Sequence, residues 1–160
     1  MKFLWVSGPI KGSLDLSRLK NLQLIGAGVS MTKVSGLESL GKLAYVHVEG
    51  PSNDWLNKLP LGVKRLFLTK SKLEHIDLSK FRNLDVLGFA SQKRIAAKDF
   101  LLPQNLKQLD LVQVLDVLDF DYWLASCKKL NKINLDTCPE ELLTSIGPAA
   151  QTLGIRIEVG

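Results

Sequence analysis

Apolar residues recur along the chain with the spacing L-x-x-L-x-L, in which x is any residue. Seven near-complete copies and a degenerate eighth are visible: Met1-Leu4-Val6, Leu19-Leu22-Leu24, Leu43-Val46-Val48, Val63-Leu66-Leu68, Leu84-Leu87-Phe89, Leu106-Leu109-Leu111, Leu130-Ile133-Leu135 and Thr152-Ile155-Ile157. The middle residues of successive copies are 18, 24, 20, 21, 22, 24 and 22 positions apart. The last two apolar residues of each copy alternate with their neighbours, as in a strand with one buried face. The pattern therefore predicts about eight short parallel strands, stacked on one core.

The segments between the predicted strands contain further apolar residues, mostly three positions apart, which we expect to line the return path on the other side of the core. They are Leu37, Leu40 and Leu43; Ile76, Leu78, Phe81 and Leu84; and Leu124, Cys127 and Leu130. A helix is predicted over 121–129, beginning at Asp121, and another from a Thr137-x-x-Glu140 capping box through Ile146, ending at Gly147 and Pro148. The shorter segment 70–81 fits extended or 3₁₀ turns. No linker interrupts the pattern, which predicts a single domain over 1–160.

The repeat length and the pattern resemble the leucine-rich repeat superfamily over the whole of 1–160. The resemblance implies an α/β fold: a curved, right-handed solenoid with short parallel strands on the concave face, and 3₁₀ turns, extended turns and short helices on the convex face. It also implies that the protein binds a partner protein on an exposed strip. The Asn that the family places after each strand is replaced here by Pro9, Ala27, Pro51, Ser71, Gln92, Val114 and Cys138, so we expect irregular turns.

The strand positions that alternate with the buried ones predict the composition of the concave face. Its first half contains aromatic residues of the kind enriched at binding hot spots, namely Phe3, Trp5, Tyr45, His47 and Phe67, and its second half is polar, with Gln108, Asp110, Lys132, Asn134 and Asp136. Ile25 is also assigned to this face. Phe3 and Trp5 have an alternative role as a cap over the first strand. The other three aromatic residues are predicted to contact a partner.

The two halves of the sequence differ in net charge. The chain has 21 Lys and Arg against 16 Asp and Glu, and residues 1–80 hold twelve of the bases and six of the acids. A basic half is compatible with nucleic-acid binding, but the predicted concave face is near neutral and the lysines before strands fit a solvated edge, so nucleic acid is an unlikely partner. Acids between positions 110 and 141 predict a docking area for a basic partner: Asp110, Asp116, Asp119, Asp121, Asp136, Glu140 and Glu141.

Little in the sequence indicates catalysis, a metal or another cofactor. His47 and Glu49 are two residues apart on one strand face, about 7 Å by strand rise, which is too far for a tight acid–base pair. Cys127 and Cys138 are predicted to be buried, reduced thiols, and Gly26 is assigned to a turn. The chain has no run of about 18 apolar residues, and its opening apolar run is too short for a signal peptide, so we expect a cytoplasmic protein with no membrane association.

Size and repeat irregularity are similar to those of short leucine-rich repeat immunity proteins from bacterial contact-dependent toxin systems. That resemblance implies a non-enzymatic inhibitor that covers the active site of a cognate toxin, such as a nuclease. The residues predicted to bind it are Trp5, Tyr45, His47, Glu49, Phe67, Asp110, Asp121, Asn134 and Asp136. An intracellular adaptor that brings a substrate protein to an enzyme is the alternative, and a nucleic-acid binder is a remote one.

Overall fold

Eight strands form one parallel sheet in which spatial order follows chain order. A computed structural model describes residues 1–8, 10–28 and 33–160. The strands are β1 (Phe3–Val6), β2 (Leu24–Ala27), β3 (Tyr45–Glu49), β4 (Arg65–Thr69), β5 (Val86–Gln92), β6 (Gln108–Val114), β7 (Lys132–Asp136) and β8 (Arg156–Val159). The chain is therefore a mixed α/β protein, and the prediction of eight short parallel strands is confirmed.

The register of the sheet places one inward-facing residue of each strand beside its counterpart in the next. These residues are Leu4, Ile25, Val46, Leu66, Leu87, Leu109, Ile133 and Ile157, and they are 21, 21, 20, 21, 22, 24 and 24 positions apart. The predicted second copy was misplaced by three residues, because Leu22, Leu24 and Ile25 are all apolar and the spacing fits two alignments. Ile25 and Ala27 are fully buried, and Leu24 faces the other way. The predicted last copy was centred two residues too early.

The same turn leads into β2 through β7. In each, the N–H of the residue two positions before the strand donates to the carbonyl three residues earlier, at 2.9 to 3.3 Å. The six pairs are Leu22 to Leu19, Leu43 to Leu40, Val63 to Pro60, Leu84 to Phe81, Leu106 to Pro103 and Leu130 to Cys127. The apolar residues at both ends pack inward, so the two residues between them form the exposed tip of the turn.

The turns at the carboxyl ends of β3 to β7 also share one conformation. Each contains a residue in the left-handed region with φ between 46° and 53°, and these are Gly50, Lys70, Ser91, Gln113 and Thr137. The turns are therefore regular at this one residue, and side chains other than Asn bond them. The Gln92 side-chain amide bonds the Ser71 hydroxyl at 2.9 Å, and the Cys138 thiol donates to the Leu111 carbonyl at 3.2 Å. Pro9 lies outside the described residues.

Except for one helix of 13 residues, the elements of the return segments are short. Three pairs of two-residue strands are parallel: Leu14–Asp15 with Val34–Ser35, Ile76–Asp77 with Phe100–Leu101, and Ile95–Ala96 with Val117–Leu118. There are 3₁₀ helices at Leu37–Ser39 and Ala97–Asp99, and α-helices α1 (Asn53–Asn57), α2 (Phe120–Ser126) and α3 (Glu140–Thr152). The extended structure within 70–81 agrees with the prediction.

Both predicted helices are present, but their ends differ from the prediction. α2 begins one residue before Asp121, after Asp119 in a left-handed conformation, and it ends at Ser126. The Thr137 hydroxyl donates to the Asp136 carboxylate instead of capping a helix, and α3 continues through Pro148 to Thr152. Ile146 and Ala150 are fully buried on either side of the proline. Their packing outweighs the backbone hydrogen bond that Pro148 cannot make.

One connected apolar core extends from Leu16 to Ile155, between the sheet and the return segments. Its aromatic centre is Trp123 of α2, which stacks on Phe89 of β5 with ring centroids 5.6 Å apart and donates its indole N–H to the Phe100 carbonyl. The predicted return-path residues are all buried. Cys127 is among them, and burial raises the pKa of its thiol to about 11.

Within the described parts of the chain, no helix combines the length and the apolar character that crossing a membrane requires.

Candidate functional site

The outward side chains of the main sheet form rows that cross the strands, because all eight strands are parallel and in register. The first row is Phe3, Leu24, Tyr45, Arg65, Val86, Gln108, Lys132 and Arg156. The middle row is Trp5, Gly26, His47, Phe67, Gly88, Asp110, Asn134 and Glu158. The third row, on β3 to β7, is Glu49, Thr69, Ala90, Val112 and Asp136. We call the surface made by these rows the outward face.

Aromatic side chains of β1, β3 and β4 contact one another across this face. The Trp5 and His47 rings meet edge to face with centroids 5.9 Å apart. His47 lies 6.1 Å from Phe67, whose ring is in turn 5.8 Å from that of Tyr45. These separations are typical of favourable aromatic pairs. We call Trp5, Tyr45, His47 and Phe67 the aromatic strip.

Two glycines of the middle row allow the rings of the strip to lie across the neighbouring strand. A Cβ on Gly26 would lie 2.0 Å from Cε3 of Trp5, and a Cβ on Gly88 would lie 2.2 Å from Cδ1 of Phe67. The rings therefore occupy the space that side chains would fill at these positions. Gly26 is part of β2, so its assignment to a turn was wrong. Sequence reasoning missed both supporting roles, although a glycine inside a strand is a signal of close approach.

Phe3 and Trp5 are on the edge strand β1, and their side chains are among the most exposed apolar groups of the described residues, at 65% and 60%. The Trp5 ring extends over β2 and reaches His47 of β3. This direction makes it part of the strip, whereas a cap would cover the outer edge of β1.

His47 is half-buried, and its Nε2 lies 2.9 Å from the Thr69 hydroxyl. Burial lowers the pKa of His47 below its usual value, and the nearby Glu49 carboxylate opposes that change. The imidazole is therefore largely neutral at pH 7. Glu49 pairs with Lys70 at 3.3 Å. His47 and Glu49 thus each have another side-chain partner.

The other half of the outward face is a polar network. Asp110 accepts hydrogen bonds from Gln108 at 2.8 Å and from Asn134 at 2.6 Å. Glu158 contacts Lys132 at 2.8 Å, and the hydrogen bond from Lys132 lowers the pKa of Glu158. The side-chain oxygen of Asn134 is buried without a hydrogen-bond partner among the described residues.

Eight of the nine residues predicted to bind a partner lie on the outward face, and Asp121 does not. Asp121 is in the first turn of α2, whose Trp123 packs on the inner side of the sheet, so the core separates it from the other eight. Ile25, assigned to this face, is in the core.

The predicted acidic docking area is also divided. Asp116 and Asp119 lie in the return segments, where they pair with Arg94 at 3.0 Å and Lys98 at 3.2 Å. Asp110 and Asp136 are on the outward face.

Residues that could bind a metal do not cluster: no three His, Cys, Asp or Glu side chains converge within 1–8, 10–28 and 33–160. Both cysteines are free thiols. Cys127 is buried as predicted, whereas Cys138 is only half-buried, because its turn at the end of β7 lies at the surface. The outward face thus combines aromatic rings in mutual contact with a hydrogen-bonded polar network.

No protein-family model matches this chain, and no curated protein matches it either.

Proposed function

We propose that the chain is a non-enzymatic, protein-binding leucine-rich repeat module and that the outward face is its contact surface. The repeat arrangement is supported by strands that recur every 20 to 24 residues, by the shared turn that leads into six of them, and by the left-handed residue at the carboxyl end of five. In such an arrangement each unit contacts only its neighbours, and the stack presents one extended face.

The aromatic strip is the observation that carries this proposal. Its rings are fixed by one another and by the glycines beneath them, yet Trp5 remains 60% exposed. A partner that covers these rings gains apolar burial and gives up little side-chain freedom, because the rings are already ordered. Aromatic residues in such positions are typical binding hot spots.

The partner that we propose is a cognate toxin domain, following the resemblance to immunity proteins of bacterial toxin systems. The aromatic strip would bind an apolar part of the toxin, and the polar network around Asp110 and Asn134 would bind basic or amide groups of the same domain. Inhibition by occlusion needs no catalytic group on this chain, but it does need a tight complex.

Parallel affinity captures from native lysate with matched variants test the surface. Trp5→Ala removes the most exposed ring of the strip, and Leu115→Ala removes an apolar side chain of similar exposure, 56%, from outside the outward face. We expect a partner that binds the wild type and Leu115→Ala equally. Calorimetry with this partner should show that Trp5→Ala weakens binding by about 2 kcal/mol, roughly 30-fold in Kd. Equal affinity of the three proteins would exclude the strip as the contact.

A separate experiment tests whether the partner is a toxin. The recovered protein should be toxic when expressed alone, and its activity should fall to background at one equivalent of this chain, with a Kd in the nanomolar range or below. A set of partners bound at micromolar strength, or a subunit of a protein-modifying enzyme, would contradict inhibition and would favour the adaptor instead.

A further inference from the structure

All eight strands of the main sheet begin along one edge, because the strands are parallel. We define the strand-entry edge as the residues that lie within seven positions before the first residue of each strand. The exposed tips of the shared turns lie here, and adjacent tips are separated by about 4.8 Å, the spacing between strands.

Positive charge is concentrated on this edge. It holds eleven of the 21 Lys and Arg residues of the chain and two of the 16 acids. The bases are Lys2, Arg18, Lys20, Lys42, Lys58, Lys64, Lys80, Arg82, Lys107, Lys128 and Lys129, and the acids are Glu38 and Asp85. The rest of the chain holds ten bases and fourteen acids. The difference in net charge between this edge and the remainder of the molecule is therefore larger than the difference between the two halves of the sequence.

The bases of the edge are largely free to bind an anion. Ten of the eleven are exposed and Lys80 is half-buried. In the described part of the chain, Lys107 is the one member of the set that contacts a carboxylate, that of Asp85 at 2.8 Å. Binding a partner at this edge would therefore break few existing ion pairs.

A groove of about 600 Å³ crosses the edge between the turns that precede β5, β6 and β7. It is lined by Ser79, Arg82, Gln104, Asn105, Lys128 and Lys129. The three cations alternate with hydroxyl and amide groups, which are the side chains that bind phosphate oxygens in nucleic-acid complexes. All six lining side chains are polar or charged, whereas the centre of a protein–protein contact is typically apolar or aromatic. The composition therefore favours phosphate over an acidic protein.

We propose that the strand-entry edge binds the phosphate backbone of a nucleic acid, with Arg82, Lys128 and Lys129 at its centre. The contacts are electrostatic, so binding is independent of base sequence. The lysines before the strands, explained from the sequence as a solvated edge, form part of this surface. The proposal concerns different residues from the aromatic strip and does not depend on the proposed protein partner.

Fluorescence anisotropy with a labelled, mixed-sequence 20-nucleotide RNA tests the proposal. The Kd should rise steeply between 50 and 200 mM salt, with a slope of log Kd against log salt of about 2 or more, since each contacted phosphate contributes about 0.7. Arg82→Glu/Lys128→Glu should raise Kd at least about tenfold at 50 mM salt and lower the slope by about 1.4. The matched control, Lys72→Glu/Lys93→Glu, changes net charge equally at two exposed lysines near the carboxyl ends of β4 and β5.

Three outcomes would overturn the proposal. One is the absence of binding at 50 mM salt. Another is an equal loss of affinity in the two double variants, which would make the effect one of net charge alone. The third is polyglutamate of matched charge binding as tightly as the RNA, which would assign the edge to an acidic protein. Thermal melts of all three proteins establish that each is folded.

Discussion

At Gly26 and Gly88 the missing side chain lets an aromatic ring from the preceding strand lie across the sheet. Gly36 acts differently, because its φ of 79° favours glycine over any residue with a side chain. The first two glycines therefore determine what the surface presents to a partner, and the third determines the path of the chain.

Gly26→Ala should displace the Trp5 ring and leave the fold intact. The added methyl group would occupy the place of the ring, but Trp5 is mostly exposed, so the free energy of unfolding should change by less than about 1 kcal/mol. Iodide quenching of tryptophan fluorescence reports the ring, since Trp55 and Trp123 are buried. We expect the quenching constant to rise.

Gly28→Ala is the control for that experiment, because a Cβ at Gly28 meets no atom of the described residues within 4 Å. Its quenching constant should equal that of the wild type. If Gly26→Ala gave the same value as this control, the ring would not rest on β2.

At the scale of the element, α3 shows how packing determines where a helix ends. Its sequence contains Gly147 and Pro148, residues that commonly end helices, yet the helix continues for four residues beyond the proline. Ile146 and Ala150 are fully buried, and the second of these would leave the core if the helix stopped where local propensity predicts. The helix is therefore longer than its own sequence favours, and it depends on the core for its second half.

Gly147→Ala should stabilise the protein by about 0.5 to 1 kcal/mol, because alanine is the better helix former and the nearest atom to the new Cβ would be at an ordinary 3.9 Å. Gly36→Ala should instead destabilise it by more than about 1 kcal/mol, since a Cβ there would lie 2.5 Å from the Ser17 nitrogen. Urea denaturation measures both values. A loss of stability in Gly147→Ala would mean that this half of α3 is not helical in solution.

The alternation of apolar residues was sufficient to predict the sheet, because burial of one face fixes which positions are apolar. It was insufficient at β2, where adjacent apolar residues fit two registers and only the neighbouring strands distinguish them. The ends of the helices were also missed, because Thr137 and Asp121 have the residue types of helix caps but neither caps a helix. The Thr137 hydroxyl bonds the Asp136 carboxylate, and Asp121 lies inside α2. Eight of nine candidate residues reached the outward face because strand alternation places them there. The lysines before the strands were visible in the sequence but were attributed to a solvated edge, because the groove around Arg82, Lys128 and Lys129 forms only when the strands align.

At the scale of the whole molecule, the core is continuous from the first return segment to the last strand. Its centre is the contact of Trp123 with Phe89 and Phe100, which joins α2, β5 and a short return strand. Because the core is continuous, loss of packing at its centre should destabilise the whole sheet.

Trp123→Ala should lower the free energy of unfolding by about 3 to 5 kcal/mol, because it leaves a large cavity in a fully buried site. Urea unfolding of the wild type should be a single transition, with circular dichroism and fluorescence giving the same midpoint. In the variant the midpoint should fall for both probes together. Separate midpoints in either protein would mean that the two ends of the sheet unfold independently.

The shared turns have a consequence for how the chain can change in length. Equivalent positions in neighbouring strands, such as Val46 and Leu66, are joined by one complete set of strand, left-handed residue, return segment and turn. Duplicating or deleting such a set would add or remove one strand and keep every later side chain on its own face. A single residue inserted within a strand would instead exchange the two faces over the remainder of that strand. The number of strands can therefore change only by whole sets of 20 to 24 residues, whereas the differences of one to four residues among the sets are accommodated outside the paired strand positions.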